Sequence, residues 1–342
     1  MTPRTLGQRA LNRALLHRQL LLERSPLSIV DAVEQIGGMQ TQYAPSGYVG
    51  LWSRLSSFRR DDLTTALEDR SLVQATLMRT TIHTVSRREF WRYAIGIRRA
   101  RREAASRIRA LPGEDALRAN SERLGVALAD GPRTVKELGS LASGFLGTLG
   151  LWVDLVRVPP SGTWERRRAD HLGLAESWVG PCDTTEAEGL AHLVRAHLRA
   201  FGPAPWKDIA GWAGVPVAEA RRGGADLALV AYRDDSGREL VDLPGAELPD
   251  ETTPAPVRFL GHFDNSTLVH FRRTGLLPEE HRARIFNIRN PFPLATVLVD
   301  GRVVAGWSAR DGRIDLETFE DLTRRDREAV EDERAALEVF YR

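Results

Sequence analysis

The sequence predicts an α+β fold: one helical unit repeated in tandem, then a β-meander and a terminal helix. Three observations predict it. Gly131-Pro132 is followed by Lys136-Glu137-Leu138, and Gly202-Pro203 is followed at the same offsets by Lys207-Asp208-Ile209. Each copy has a helical pattern upstream, with a short helix and then a hairpin downstream. Beyond the Pro-rich stretch 243–257 the hydrophobic period changes from helical to alternating.

The elements follow in order. The N-terminal part fits helices over 6–23, 28–36, 47–58 and 61–69. Two β-rich segments, 73–78 and 81–85, come next. Ser86-Arg-Arg-Glu89 then reads as a capping box that opens a helix. Further helices fit 121–129 and 186–201. The first repeat's hairpin is expected over 155–158, a turn at Pro160-Ser161-Gly162, and a return over 163–168. The second runs 227–233, turns at Asp234-Asp235-Ser236-Gly237 and returns over 238–243. Helix, short helix, helix and hairpin is the order of a winged helix, whose third helix can enter a major groove. We therefore expect three winged-helix units, at 1–115, 116–182 and 183–250, and a C-terminal module at 257–342. In that module, strands over 294–299, 302–310 and 313–317 are joined by Asp300-Gly301 and Asp311-Gly312, the type I′ hairpin signal. An amphipathic helix over 319–340 closes the chain. Its charged face, with Arg324, Arg325, Glu328 and Asp332, reads as solvated.

A chain of 342 residues is long enough for two or three domains. A hydrophobic share of 42% and a charged share of 27% exclude disorder as the main state. The single Cys182 excludes an intrachain disulfide framework and a Cys-rich metal site. Arginines interrupt the first residues, so no signal peptide is expected. The longest uncharged run, 138–153, is too short and Gly-rich for a membrane span. A soluble, reduced, cytoplasmic monomer is expected, associated with the nucleoid and without a membrane partner. The net charge is only +2, so an anionic partner must be met by local patches. Lys136 and Lys207 are the only lysines among the many arginines. A GC-rich genome is the simple cause of that bias; phosphate binding is the functional one.

The segment Gly37-Gly38-Met39-Gln40-Thr41-Gln42-Tyr43-Ala44-Pro45-Ser46 is the richest in chemistry. Two glycines end one helix and Pro45 precedes the next. In an extended stretch, residues i and i+2 point to the same side, so Gln40 and Gln42 converge and Thr41 turns away. Two neutral amides are neither acid nor base. They can hold a water, and their carbonyl dipoles can face a developing positive charge. That suits a leaving group that needs no protonation, such as an N7-alkylated purine leaving its sugar. The plainer reading is two polar loop residues capping nearby backbone.

The stretch GGMQTQYAPSGYVGLWSRL resembles the catalytic segment of the AlkZ-like bacterial DNA glycosylases. Supporting stretches include LMRTTIHTVSRREF, GPRTVKEL, PPSGTWERR, AESWVG, FGPAPWKDIAGWAGV, FLGHFDNSTLVHFRR, LLPEEHRARIF and LVDGRVVAGW, so the likeness covers nearly the whole chain. The resemblance implies tandem winged helices and excision of bulky N7-alkylpurine adducts, interstrand crosslinks included. The family's Gln, aliphatic, Gln motif falls on Gln40, Thr41 and Gln42. Thr41 departs from the aliphatic middle position but is β-branched and keeps the extended preference. In the related YcaQ-like branch an Asp replaces the second Gln, so Gln42 favours the AlkZ-like branch. The implied enzyme acts on double-stranded DNA carrying an alkylated purine, with Gln40 and Gln42 catalytic. No metal or cofactor is implied.

Candidate DNA contacts are Arg79, Thr80 and His83 on the N-terminal hairpin, and Lys136, Lys207, Arg166, Arg167 and Arg168 at first-turn and wing positions. The simpler reading of each is surface exposure. His262, Asp264 and Asn265 are a candidate lesion pocket or a buried structural network. His192 and His197, five apart on a helix, make a poor metal pair. The main rival is a non-catalytic winged-helix DNA-binding regulator, which the fold predicts equally well. The missing heptad dimerisation helix and the otherwise unexplained glutamines argue against it. A third reading is a module that uses its winged helices for protein contacts. Basic surfaces converging on one groove would separate a glycosylase from that.

Overall fold

A computed structural model of the chain describes residues 3–142, 150–268, 275–286 and 292–342. The N-terminal unit holds α1 (Gln8–Arg18), α2 (Ile29–Gln35), α3 (Ala44–Trp52), α4 (Arg60–Glu68) and the hairpin of β3 (Leu72–Thr76) and β4 (Ile82–Ser86). Ser28 caps α2, its hydroxyl accepting from the Asp31 N–H at 3.1 Å. Two expectations are corrected here. The helix expected over 6–23 is shorter, Gln8–Arg18, because Leu6 belongs to a strand, β1 (Arg4–Leu6). Helix α3 starts at Ala44 with Pro45 in its first turn, where a missing N–H costs nothing, and ends at Trp52. The capping box at Ser86 is half made. The Ser86 hydroxyl accepts from the Glu89 N–H, but the Glu89 carboxylate pairs with Arg199 at 3.0 Å. Helix α5 (Phe90–Ser106) follows.

The second unit contains α6 (Glu114–Ala127), β5 (Arg133–Thr134), α7 (Val135–Leu138), β6 (Leu155–Arg157) and β7 (His171–Leu174). Its expected second short helix runs into 143–149, outside the described residues. The return strand lies at 171–174 rather than 163–168. Ser161 explains the shift: its hydroxyl donates to the Arg168 carbonyl and accepts from the N–H groups of Asp170 and His171. Those bonds fold the intervening residues into a closed loop before pairing starts. After α8 (Ala175–Val179), the third unit has α9 (Glu186–Phe201), α10 (Trp206–Ala213), α11 (Val217–Gly223) and the hairpin β8 (Val230–Asp234) and β9 (Glu239–Asp242).

Among the described residues the strands form three sheets. In one, β1 runs parallel to β8, with β9 beyond it. In the largest, β2 (Met39–Gln40) is the edge of the order β2-β4-β3-β6-β7-β5, so the hairpins of the first two units form one sheet. The third is the C-terminal meander, β10 (Arg258–Leu260), β11 (Ala295–Val299), β12 (Arg302–Arg310) and β13 (Arg313–Thr318). Both Asp-Gly pairs take positive φ at both positions, as type I′ turns require. Helix α12 (Asn265–Leu268) follows β10. Helix α13 (Glu279–Ile285) precedes β11. The last helix, α14 (Arg324–Tyr341), is capped by Thr323, and Arg324 pairs with Glu328 at 2.8 Å on its surface.

The central core gathers α1, α5, α9, the main sheet and Trp212. Helices α5 and α9 touch backbone to backbone: a Cβ on Gly96 would lie 2.6 Å from the Gly189 carbonyl oxygen. His192 and His197 are buried against the rings of Tyr93 and Trp212. Arg18 makes a bidentate pair with Asp242 at 2.7 Å, fixing α1 to β9.

Candidate active site

The glutamine segment is set by two left-handed glycines. Gly37 and Gly38 have φ of +76° and +78°, and a Cβ at Gly38 would press on Val85 at 3.0 Å. They turn the chain out of α2 and into β2. There Gln40 lies opposite His83 on β4. The Thr41 N–H donates to the Ile82 carbonyl at 2.8 Å, extending the pairing by one residue. Thr41 turns to the other side, its hydroxyl 3.0 Å from that of Thr84. The strand expected here is present at Met39–Gln40, Thr41 faces Thr84, and the chain bends at Gln42 and Tyr43 before α3, so the extended run expected through Gln42 stops short of it.

The two amides have different surroundings. Gln40 is 7% exposed, and its Oε1 accepts from Arg79 Nη2 at 2.9 Å. Gln42 is exposed, and its Oε1 accepts from the Ile82 N–H at 3.0 Å. Each carbonyl oxygen is therefore anchored and keeps a second lone pair.

Beside Gln40 is a cavity of about 20 Å³, lined also by Ser46, Arg54, His262, Asp264 and Asn265. The three residues of the candidate pocket are thus brought beside Gln40. The volume suits one water, and Asp264 and Asn265 are buried in it as members of a polar network. Asp264 grips Arg54 bidentately at 2.9 and 3.0 Å, and Gln19 and Ser266 accept further bonds from Arg54. Burial pushes the Asp264 carboxyl up, but the Arg54 charge and hydrogen bonds from Arg54 and Ser266 outweigh it and hold it below the usual range. Asn265 donates to the Gly38 carbonyl at 2.6 Å, clamping the turn before the glutamines. His262 Nδ1 meets the Pro293 carbonyl at 2.8 Å, and burial lowers its pKa, leaving a neutral ring.

On the open side, Tyr43 meets His262 edge-on at 5.5 Å and Phe292 at 6.1 Å. Arg167 donates to the Tyr43 hydroxyl at 3.1 Å. Arg166 and Arg168 are exposed on the same loop, Arg168 pairing with Asp170 at 3.2 Å. Lys136 and Lys207 are exposed at the second positions of α7 and α10, the equivalent places the repeat predicts. Thr80 is exposed at the tip of the β3–β4 hairpin.

His83 is a correction. It is 0% exposed, so it cannot touch a phosphate. Burial, and next the Arg79 charge, lower its pKa to about 3, so it is neutral. Arg79 is also drawn inward: besides Gln40, it donates to the Trp212 carbonyl at 2.6 Å.

The comparisons bear on this arrangement. The family model described as DNA glycosylase AlkZ-like matches residues 33–340. The chain belongs to the AlkZ-like DNA glycosylase family. No curated protein matches it. Among solved structures, the Streptomyces sahachiroi DNA glycosylase AlkZ superposes with a TM-score of 0.83 at 20% identity, over 98% of this chain and 97% of that one. At that identity the likeness establishes the fold, the α+β tandem winged-helix architecture expected above. The regulator reading gives way to an AlkZ-like DNA glycosylase whose substrate is DNA. No helix among the described residues is long and apolar enough to cross a membrane. Sequence reasoning missed Arg54 as the partner of Asp264. The available signal was an arginine at the end of the apolar run Tyr48-Val-Gly-Leu-Trp-Ser-Arg54, where an unpaired charge is costly.

Proposed function

We propose that this AlkZ-like glycosylase is monofunctional and excises purines carrying a cationic N7-alkyl adduct, interstrand crosslinks among them. Its setting is DNA repair or self-resistance to an alkylating natural product. One observation carries the reading. Gln40 and Gln42 present neutral amides, and Asp264, the carboxylate lining the cavity beside Gln40, is committed to Arg54. Such a site supplies no proton to a leaving base. An N7-alkylated purine needs none: the C1′–N9 bond breaks, its electron pair moves to the base, and the base leaves neutral. The positive charge passes to the sugar as an oxocarbenium ion, which the amide dipoles stabilise. Gln40 and Gln42 hold the water that adds at C1′, and its proton leaves to solvent.

A lyase step needs an amine nucleophile. The side chains on offer are Lys136 and Lys207, and neither lines the cavity beside Gln40. Arginine stays protonated and cannot replace them. The enzyme is read as a cytoplasmic monomer acting along double-stranded DNA. Its units at 1–115, 116–182 and 183–250 supply phosphate contacts through Thr80, Lys136, Arg166, Arg167, Arg168 and Lys207.

The test is a duplex containing N7-methylguanine, assayed for free base and, with borohydride, for a covalent complex. Free 7-methylguanine, an intact abasic strand and no trapped band are expected. No release from this or any bulkier N7 adduct would overturn the substrate reading. A trapped band that disappears in Lys136→Ala or Lys207→Ala would make the enzyme a lyase.

A further inference from the structure

Arg79 occupies a strained place. Its φ is +53° and that of Thr80 is +62°, a left-handed pair in residues that rarely adopt it. The guanidinium is drawn into the protein between two neutral acceptors, Gln40 Oε1 at 2.9 Å and the Trp212 carbonyl at 2.6 Å. The second lies in the last turn of α10, where the helix dipole is negative. The helix ends at Gly214 with φ +74°, and a Cβ there would stand 3.1 Å from the Arg79 nitrogen. Among the described residues no carboxylate pairs with Arg79, whereas buried Arg18 and Arg54 have Asp242 and Asp264. Burial lowers its pKa to about 10, so it remains a cation. A strained, desolvated cation with no counter-charge is a poor way to stabilise a fold.

We infer that Arg79 is a positioning residue that fixes the flip of the Gln40 amide, making Gln40 the hydrogen-bond donor of the glutamine pair. The amide oxygen and nitrogen share one planar carbon. Anchoring Oε1 on the guanidinium therefore fixes where the two N–H bonds point. The cation also polarises the amide and strengthens those donors. A Gln40 N–H then donates to the oxygen of the attacking water, while exposed Gln42 supplies a carbonyl to the sugar. This rests on the proposed hydrolysis at Gln40 and adds a division of labour to it.

The test compares wild type, Arg79→Lys, Arg79→Met, Gln40→Ala, Gln40→Glu and the Arg79→Met/Gln40→Ala double variant. Single-turnover release of N7-methylguanine, DNA affinity and thermal melting are read for each. Arg79→Met is expected to slow release about 10²-fold, the scale of a misplaced catalytic group, with affinity unchanged. Arg79→Lys should recover part of the rate, since one ammonium can bond Oε1 but lacks the planar fork. In the Gln40→Ala background, Arg79→Met should cost nothing further. Gln40→Glu keeps the contact to Arg79 but loses both N–H donors, so it should fall as far as Gln40→Ala even if Arg79→Met folds poorly. Additive losses, a loss confined to affinity, or a wild-type rate in Gln40→Glu would each overturn the inference. The Gln40 side-chain amide resonance reads orientation without turnover: it should be dispersed in wild type and collapse toward free-glutamine values in Arg79→Met. An unmoved resonance overturns the inference even if wild type proves inactive on this adduct, a result that would count against the substrate reading instead.

Discussion

The two sides of the Gln40–Gln42 segment place arginine by opposite rules. Beneath it, Arg54 is 2% exposed and its charge is matched by Asp264, with Gln19 and Ser266 completing the shell. Around the rest of it, inward-drawn Arg79 and surface Arg167 hold neutral groups, the Gln40 amide, the Trp212 carbonyl and the Tyr43 hydroxyl. The paired cation has its field cancelled and serves the scaffold. The neutrally bonded cations keep their fields, which reach a substrate or a catalytic amide. Breaking the first kind should cost stability; breaking the second should cost turnover or binding.

The largest effect is expected beneath the segment. Asp264→Asn leaves Arg54 buried without a counter-charge, a loss of about 3–5 kcal/mol. Urea denaturation measures it. A change under about 1 kcal/mol would mean that water reaches the pair and that the contrast between the two sides is false. At the segment itself, Gln42→Ala and Gln40→Ala should each lower single-turnover excision by roughly 10²–10³-fold, the scale of losing a preorganised contact. Melting temperature and DNA affinity should barely move. Wild-type rates in both variants would remove the glutamines from the chemistry.

The next effect concerns pH. His83 has a folded pKa of about 3 against an ordinary value of 6.5. Below pH 6.5 the unfolded chain therefore binds a proton that the folded chain refuses. Stability falls as pH drops from about 6.5 toward about 3, by ~1.4 kcal/mol per unit for this one group. His192, lowered likewise to about 3, adds a similar slope. Replacing His83 with Gln should flatten the acid limb by about 1.4 kcal/mol per unit, read from denaturation at several pH values. An unchanged slope would mean that His83 is hydrated after all.

Local patterns in the sequence revealed much of this molecule. The repeat offsets placed Lys136 and Lys207 at the same turn of two helices, and helix 186–201 was bounded by its periodicity. The Asp-Gly pairs specified both meander turns, and the glycines before Gln40 marked the turn into β2. What stayed hidden depends on distant partners. Strand β1 pairs with β8, far along the chain, and a three-residue strand carries no period of its own. Arg54 and Asp264 are 210 residues apart. The burial of His83 follows from β2 adding to the edge of the sheet, which no residue near His83 announces. The wing's return strand was misplaced because Ser161 closes its loop through backbone groups of residues 168, 170 and 171, an interaction open to any serine beside a turn.

The smallest predicted effect sharpens the comparison on the open side. If exposed cations act through charge on the DNA backbone, Lys136 and Lys207 should behave alike. They occupy the same position of α7 and α10, and both are exposed. Each phosphate contact removed lowers the slope of log affinity against log salt by about 0.9. Lys136→Gln and Lys207→Gln should each produce that drop, and the double variant about twice it, because the sites belong to separate units and share no partner. The loss should be the same on adducted and plain duplexes, since a phosphate carries no sequence or lesion information. Excision at saturating DNA should be unchanged. Binding titrations at several salt concentrations give the slopes. A drop in one variant alone would show that only one of the repeated units lies on the duplex. No drop in either would mean that these units turn another face to the DNA, and the basic loop at Arg166–Arg168 would then be the next place to cut.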